Sequence, residues 1–207
     1  MSARWLGGLL LPVACVLMTA GAAHAQTAPA TATARATFAG GCFWCVESDF
    51  DKVPGVLSTT SGYIGGTVAN PTYQQVSGKD TGHAEAVEIV FDPARVSYAA
   101  LVEKFWRTVD PTTKDRQFCD VGNPYRTAIF THDAAQLEVV KLSLAALEKS
   151  KPFKEPIVTQ VVAASKFYPA EDYHQDYYMK NPVRYKYYRA SCGRDARLEQ
   201  LWGKTKN

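Results

Sequence analysis

The stretch TFAGGCFWCVE, residues 37–47, runs from a short apolar segment through two glycines into two cysteines that enclose two aromatic residues. Residues from Trp44 to Phe50 can form a helix, which would place Cys42 at the helix N-terminus. Unpaired backbone N–H groups and the helix dipole favour a thiolate there, so we expect the pKa of Cys42 to be lowered. The C-x-x-C spacing by itself also suits a structural disulfide, a redox motif or half of a metal site.

Beyond this stretch, the hydrophobic pattern predicts strands that alternate with helices. Alternation predicts a strand at residues 87–91, and short β-prone runs lie at 127–130 and 156–159. One helix is expected after Ser97, which can cap it, and a second from about Asp133. The fold class is therefore α+β, a two-layer sandwich of helices on a sheet.

Length and composition describe an ordinary globular chain. It has 207 residues, of which 46% are hydrophobic and 21% charged, and this excludes a wholly disordered or fibrous protein. The formal net charge of +3 is too small and too dispersed to grip a phosphate backbone, so we expect no nucleic-acid partner. Residues 26–36, rich in Ala, Thr and Pro, are expected to form a flexible leader ahead of one domain at 37–207.

The first 25 residues have the features of a secretory signal peptide. Arg4 is their only charged residue, residues 5–20 are apolar, and a small A-x-A cleavage motif ends at Ala25. We therefore expect an exported protein, periplasmic or secreted, with no stable membrane insertion after cleavage. The mature chain keeps four cysteines, at 42, 45, 119 and 192, which allow three pairings into two disulfides.

Several short motifs follow one another in an order that resembles the A-type peptide methionine sulfoxide reductases. The resemblance covers roughly residues 37 to 182 and is carried by GCFW at 41–44, NPTY at 70–73, GHAEAV at 82–87, DP at 110–111, RQ at 116–117, Asp120, YR at 125–126, AED at 170–172 and HQ at 174–175. It implies a ferredoxin-like core with a mixed sheet and an irregular C-terminal tail. It also implies the thiol-dependent reduction of methionine S-sulfoxide, an activity that repairs oxidised proteins.

The resemblance assigns the two principal catalytic groups. Cys42 matches the nucleophile that attacks the sulfoxide sulfur and becomes a sulfenic acid. Glu85 matches the acid that protonates the sulfoxide oxygen. By strand alternation Glu85 shares a face with Val87 and Ile89, so its carboxyl is directed toward apolar surroundings that raise its pKa and keep it protonated near neutrality.

Five further residues match the family pocket. Tyr73 and Tyr125 match two phenols that hydrogen-bond the sulfoxide oxygen, and Asp120 matches a polar residue beside them. Phe43 and Trp44 match the apolar wall that receives the methyl group of the substrate. No metal or other cofactor is implied.

The sequence departs from the commoner family wording at its other cysteines, and this leaves the resolving step open. Cys45 stands where many members have glycine, Cys119 follows Phe118 where Gly-Asn is frequent, and a glycine-rich tail is replaced by residues 188–194. Cys192, on a tail expected to be flexible, is the preferred partner of the sulfenic acid, with Cys45 and Cys119 as alternatives.

The implied partners are methionine sulfoxide, free or in proteins, and a thioredoxin-like reductant, and we expect a monomer. Two other classes of protein would explain fewer residues. An exported thioredoxin-like thiol–disulfide oxidoreductase would account for the C-x-x-C pair but has no use for Tyr73, Glu85 or Tyr125. A zinc-stabilised binding module would account for four cysteines, but their spacings provide only one ligand pair.

Overall fold

The computed structural model describes residues 1–3, 32–78 and 80–204. The predicted signal peptide, beyond its first three residues, and the leader up to Thr31 lie outside this part of the chain. The described elements, in chain order, are β1 (Ala34–Gly40), α1 (Phe43–Phe50), β2 (Val56–Ile64), α2 (Tyr73–Ser77), β3 (Ala84–Phe91), α3 (Tyr98–Thr108), β4 (Arg116–Gln117), β5 (Asp120–Val121), a 3-10 turn (Asn123–Tyr125), β6 (Thr127–Thr131), α4 (Ala134–Ser150), β7 (Gln160–Ala163), β8 (Tyr168–Pro169), α5 (Tyr177–Lys180), α6 (Pro182–Ser191) and α7 (Arg194–Trp202).

The main sheet has six strands in the order β7-β6-β1-β3-β2-β8. Neighbouring strands are antiparallel except β6 and β7, which are parallel, so the sheet is mixed as expected. The core consists of two β-α-β units, β1-α1-β2 and β3-α3-β6. When its four strands are numbered 1 to 4 in chain order, their order in the sheet is 4-1-3-2, that of a ferredoxin-like core. Strands β4 and β5 form a separate small hairpin.

Helices α1 and α3 cover one face of the sheet and bury its apolar side chains. Ser97 caps α3 by accepting a hydrogen bond from the backbone N–H of Ala100, and Asp133 caps α4 in the same way. Phe38 of β1 stacks on Phe105 of α3 with ring centroids 5.0 Å apart, and neither side chain is exposed. The predicted fold class, the two capped helices and the strands at 87–91 and 127–130 are confirmed.

Two boundaries differ from the sequence-based expectation. β1 begins at Ala34, inside the predicted leader, because its pairing with Phe91 extends the ladder further than apolar content alone indicates. The run at 156–159 is not a strand; β7 begins at Gln160, where it pairs with Ala128. No helix among the described residues has both the length and the apolar character needed to span a membrane.

The C-terminal tail is not irregular, since α5, α6 and α7 occupy most of residues 177–202. The last of these helices, α7, ends before Gly203. Helix α6 was missed because its tyrosines and charges give no continuous apolar stripe. Tertiary contacts hold such a helix in place, here the buried Tyr185 of α6. At the start of α7, the fully buried guanidinium of Arg194 donates to the carbonyl of Gly40 at 2.7 Å.

The strand register brings distant residues to one end of the sheet. Phe38 pairs with Val87 and Gly40 pairs with Thr127. When the pairing of β1 with β3 is continued two residues beyond Phe38, the end of β1 lies opposite Glu85. The glycine turn before α1, the start of β3 and the start of β6 therefore meet at one place.

We predict that Gly41→Ala destabilises the fold more than Gly193→Ala does. Both glycines have a positive φ, +82° and +68°, so each alanine incurs about 1–2 kcal/mol of backbone strain. A Cβ at position 41 would also lie 2.5 Å from the Cβ of Gln117, whereas nothing lies within 4 Å of one at 193. Overpacking of this kind costs roughly another 1–3 kcal/mol. Urea unfolding midpoints of the two variants measure the difference, and equal losses would contradict the tight approach at Gly41.

Candidate active site

Cys42 lies at the N-cap of α1, as the sequence predicts, but its thiol is not activated in the way expected. Burial raises the pKa of Cys42 well above its ordinary value, with its contact to Cys45 acting in the same direction. The free N–H of Phe43, in the first turn of the helix, donates to the carboxyl of Glu85. The expectation of a lowered Cys42 pKa is therefore wrong, because burial outweighs the helix terminus.

Cys45 is the thiol whose pKa is lowered, to about 7. A hydrogen bond with Cys42 is the largest cause, and the positive charges of Arg194 and Arg189 also favour a thiolate there despite burial. Residues three positions apart in a helix are neighbours on its surface. The two sulfurs thus form a buried, hydrogen-bonded pair.

Glu85 is directed into the same place from β3. Its side chain is 3% exposed, and its Oε2 accepts the N–H of Phe43 at 3.1 Å. Burial raises the pKa of Glu85 to about 8, and the nearby charge of Asp120 adds to the rise. The carboxyl is therefore mainly protonated at neutral pH, which confirms the environment expected from strand alternation.

These groups line a small cavity of about 60 Å³. Every predicted catalytic and substrate-binding residue contributes to it, and Tyr188 does so as well: Cys42, Phe43, Trp44, Tyr73, Glu85, Asp120, Tyr125 and Tyr188. The phenols of Tyr73 and Tyr125 are hydrogen-bonded to each other, and burial raises the pKa of both, that of Tyr73 to about 12. Both phenols are thus protonated donors at physiological pH.

An aromatic stack fixes the wall of the cavity. The indole of Trp44 lies flat on Tyr177, with centroids 3.7 Å apart and 7° between the planes, and its N–H donates to Nδ1 of His174 at 3.1 Å. Burial lowers the pKa of His174, so the ring is neutral and its Nδ1 is free to accept. His174 lies in one of the motifs that carry the family resemblance, but neither His174 nor Tyr177 is among the predicted site residues.

Asp120 is positioned by the β4–β5 hairpin. Gln117 of β4 is fully buried and exchanges two hydrogen bonds with the backbone of Asp110, at 2.6 and 2.9 Å, which anchors the hairpin. Oδ2 of Asp120 accepts the hydroxyl of Tyr188 at 2.6 Å, and burial raises the pKa of the carboxyl. Tyr188 was not predicted, because it comes from α6, beyond the segment that carries the family motifs.

Cys192 does not lie on a flexible tail. It caps the C-terminal end of α6 and forms a disulfide with Cys119, while Cys42 and Cys45 remain free and buried. The geometric reason for preferring Cys192 as the partner of Cys42 is therefore lost. Cys119, Asp120 and Cys192 are also a group of possible metal ligands, but sulfurs joined in a disulfide are not thiolate ligands.

A larger groove of about 740 Å³ lies elsewhere, along α3 and α7, and contains none of the predicted residues. The small cavity, unlike this groove, combines a nucleophilic sulfur with a carboxylic acid and phenols. A nucleophilic sulfur beside a proton donor is suited to attack an atom that is bonded to oxygen, because the donor can protonate that oxygen as its bond breaks. The limited volume and the aromatic wall suit a small, unbranched apolar group on that substrate.

The comparison with known proteins matches the geometry. The family model described as peptide methionine sulfoxide reductase matches residues 34–206. The chain is 50% identical over 169 residues to the peptide methionine sulfoxide reductase MsrA of Bacillus licheniformis, covering 82% of this chain and 93% of that protein. It is 51% identical over 173 residues to MsrA/MsrB of Vibrio cholerae, but spans only 46% of that protein's length.

A solved structure has the same fold. Methionine sulfoxide reductase A of Corynebacterium diphtheriae matches with a TM-score of 0.63 and 36% sequence identity, over 73% of this chain and 76% of that one.

Proposed function

The chain belongs to the peptide methionine sulfoxide reductase family, and on this premise we propose that it reduces methionine S-sulfoxide to methionine with Cys42 as the nucleophile. It is a thiol-dependent oxidoreductase, a peptide-methionine (S)-S-oxide reductase. The observation that carries the assignment of residues is that Cys42 and a carboxyl that is protonated at neutral pH line the same small cavity. A thioredoxin-like oxidoreductase would leave this carboxyl and the paired phenols without a role.

In the first step the sulfur of Cys42 attacks the sulfoxide sulfur while Glu85 protonates the oxygen. The attack forms an S–S bond between Cys42 and the substrate. The S–O bond of the substrate then breaks as the hydroxyl is transferred to the sulfur of Cys42, the S–S bond breaks, and methionine leaves with Cys42 as a sulfenic acid. The phenols of Tyr73 and Tyr125 are the donors available to the oxygen before it is protonated. Phe43 and Trp44 supply the apolar wall for the terminal methyl group.

In the second step we assign the resolving thiol to Cys45. Its thiolate is favoured near neutral pH and already contacts Cys42, so it can attack the sulfenic sulfur and expel the oxygen, which takes up one proton from solvent and leaves as water. The product is a Cys42–Cys45 disulfide, which an external dithiol must reduce. Cys192, preferred on sequence grounds, is bonded to Cys119 and lies at the end of a docked helix.

The proposed reductant is a thioredoxin-like protein, and the proposed substrate is methionine sulfoxide, free or in damaged proteins. Export follows from the sequence alone, through the apolar segment that ends in the A-x-A motif at Ala25. An exported enzyme would require a reductant that is itself kept reduced outside the cytoplasm.

We predict strict selectivity for the epimer and complete dependence on Cys42. The mature protein should reduce the S-sulfoxide of a methionine peptide and leave the R-sulfoxide unchanged, as chiral chromatography of the products will show. Cys42→Ser should release no sulfide even in one turnover, because a hydroxyl is a far weaker nucleophile at neutral pH. Equal turnover of both epimers, or sulfide from the serine variant, would refute the function.

We predict that Glu85→Gln slows sulfide release in a single turnover by roughly two to four orders of magnitude, the usual effect of losing a general acid. Because the carboxyl is protonated below a pKa of about 8, the wild-type rate should fall as pH rises through that value. The glutamine variant should lack this decline.

Glu88→Gln is the matched control, since Glu88 lies on the same strand but pairs with Arg35 instead of facing the cavity. It should keep the wild-type rate and pH profile. An unchanged profile in Glu85→Gln would exclude Glu85 as the acid.

We predict that Cys45→Ser releases about one equivalent of sulfide and then stalls when a thioredoxin is the reductant. Cys192→Ser should continue past one equivalent, because its sulfur is not needed to resolve the sulfenic acid. Quenched-flow counting of sulfide per enzyme separates the two variants. If Cys192→Ser stalls while Cys45→Ser cycles, the tail cysteine is the resolving residue after all.

We predict that, when the gene is expressed in a bacterium that has a periplasm, the protein is found in the periplasm without its first 25 residues. Ala25→Trp should block cleavage, because the processing site accepts only small side chains, and should leave the precursor mass. Intact-mass measurement of the fractionated protein decides this. A full-length wild-type protein in the cytoplasm would contradict export.

A further inference from the structure

The C-terminal helix α6 delivers a hydroxyl to the sulfur of Cys42. Tyr188 lines the cavity, and its ring meets Trp44 edge-on at 5.8 Å. Its hydroxyl lies 2.6 Å from Oδ2 of Asp120 and is also within hydrogen-bonding reach of Cys42. Tyr188 therefore bridges the nucleophile and a carboxyl that the mechanism above leaves without a task.

A covalent bond joins the same two segments. Cys119 immediately precedes Asp120, and Cys192 follows Tyr188 by one helical turn, with its N–H donating to the carbonyl of Tyr188 at 2.9 Å. The disulfide and the Tyr188–Asp120 hydrogen bond thus run side by side between α6 and the β4–β5 hairpin.

We propose that Tyr188 is a further catalytic residue of this chain, held over Cys42 by the Cys119–Cys192 disulfide, and that its hydroxyl passes the proton of the Cys42 thiol to Asp120. The proposal rests on the proposed function for the reaction that it serves. In this proposal Asp120 is the base that takes the proton of Cys42, through Tyr188, and Glu85 remains the acid that protonates the sulfoxide oxygen.

The proton balance closes without an outside reactant. The S–H bond of Cys42 breaks and its proton goes to the phenol oxygen, while the phenol proton goes to Asp120. A thiolate and a carboxylic acid replace a thiol and a carboxylate, so the buried negative charge is moved and not created. Burial, which raises the pKa of Asp120, makes its carboxyl a more capable acceptor.

The protons also balance over the first step of the reaction. Asp120 gains one proton from Cys42, and the sulfoxide oxygen gains one from Glu85. The two carboxyls have then exchanged protonation states. Return of the proton from Asp120 to Glu85 restores the site for the next turnover.

The test compares Tyr188→Phe with Tyr187→Phe. The first variant keeps the ring against Trp44 and removes only the hydroxyl; the second removes a hydroxyl from a neighbouring tyrosine that is 76% exposed. Two readouts are taken across pH: the single-turnover rate of sulfide release at saturating sulfoxide, and the rate of Cys42 alkylation by iodoacetamide, assigned by peptide mass spectrometry. The alkylation readout needs no sulfoxide, so it tests Tyr188 even if the proposed function fails.

Tyr188→Phe should lower the single-turnover rate about 100-fold, the low end of the range for a positioned proton-transfer group, with KM unchanged. Its Cys42 alkylation should shift to higher pH. Tyr187→Phe should match the wild type in both readouts. Wild-type behaviour of Tyr188→Phe, or an equal loss in both variants, overturns the proposal.

The disulfide is tested by Cys119→Ser/Cys192→Ser in the wild-type and Tyr188→Phe backgrounds. The fold should persist, because Arg194 still binds Gly40 and Arg189 still pairs with Asp49. The double serine variant should slow the single turnover and shift Cys42 alkylation in the wild-type background, and should add nothing when the hydroxyl of Tyr188 is already absent. Losses that multiply in the combined variant show that the disulfide does not act through Tyr188.

Discussion

The antiparallel register between β1 and β3 is the constraint on which the site depends. It sets the turn that begins α1 opposite the first residues of β3, so that the Phe43 N–H and the Glu85 carboxyl meet at 3.1 Å. A slip by one residue would turn Glu85 to the other face of the sheet and remove the acid from the nucleophile. The core packing of Phe38 on Phe105 stabilises this register, so the same residues that hold the fold together also align the chemistry.

Burial then determines which group carries each proton. In water a thiol and a carboxylic acid would ionise in the opposite order, but here the carboxyl of Glu85 keeps its proton to a pKa of about 8 while Cys45 loses its own near 7. The difference arises because Cys45 has a hydrogen bond with Cys42 and lies near the charges of two guanidinium groups, whereas no guanidinium is a cause of the shift at Glu85. The tail helices supply both guanidinium groups, Arg189 and Arg194, so the C-terminal segment tunes the thiol pair as well as covering it.

The sequence predicted those features of the fold and the site that depend on a few adjacent residues. The glycine turn before Cys42, the alternation around Glu85 and the caps at Ser97 and Asp133 are properties of a few adjacent residues, and the structure has all of them. The pairing of Cys119 with Cys192 joins residues separated by 73 positions, and four cysteines give no preference among their pairings. The rise in the pKa of Cys42 likewise depends on how much protein surrounds the sulfur, which no short motif encodes.

The tail shows why a motif-based view of such a site is incomplete. Helix α6 has little amphipathic character of its own, and its C-terminal end is held by Arg189, which pairs with Asp49, and by the disulfide of Cys192 with Cys119. Arg194, at the start of the following helix α7, binds the carbonyl of Gly40. These contacts fall on α1, on the end of β1 and on the hairpin of Asp120, which are the elements that carry the cavity. A shift of α6 would therefore change that cavity. For this reason the C-terminal segment, although it lies beyond the residues that resemble the family, is part of the active site.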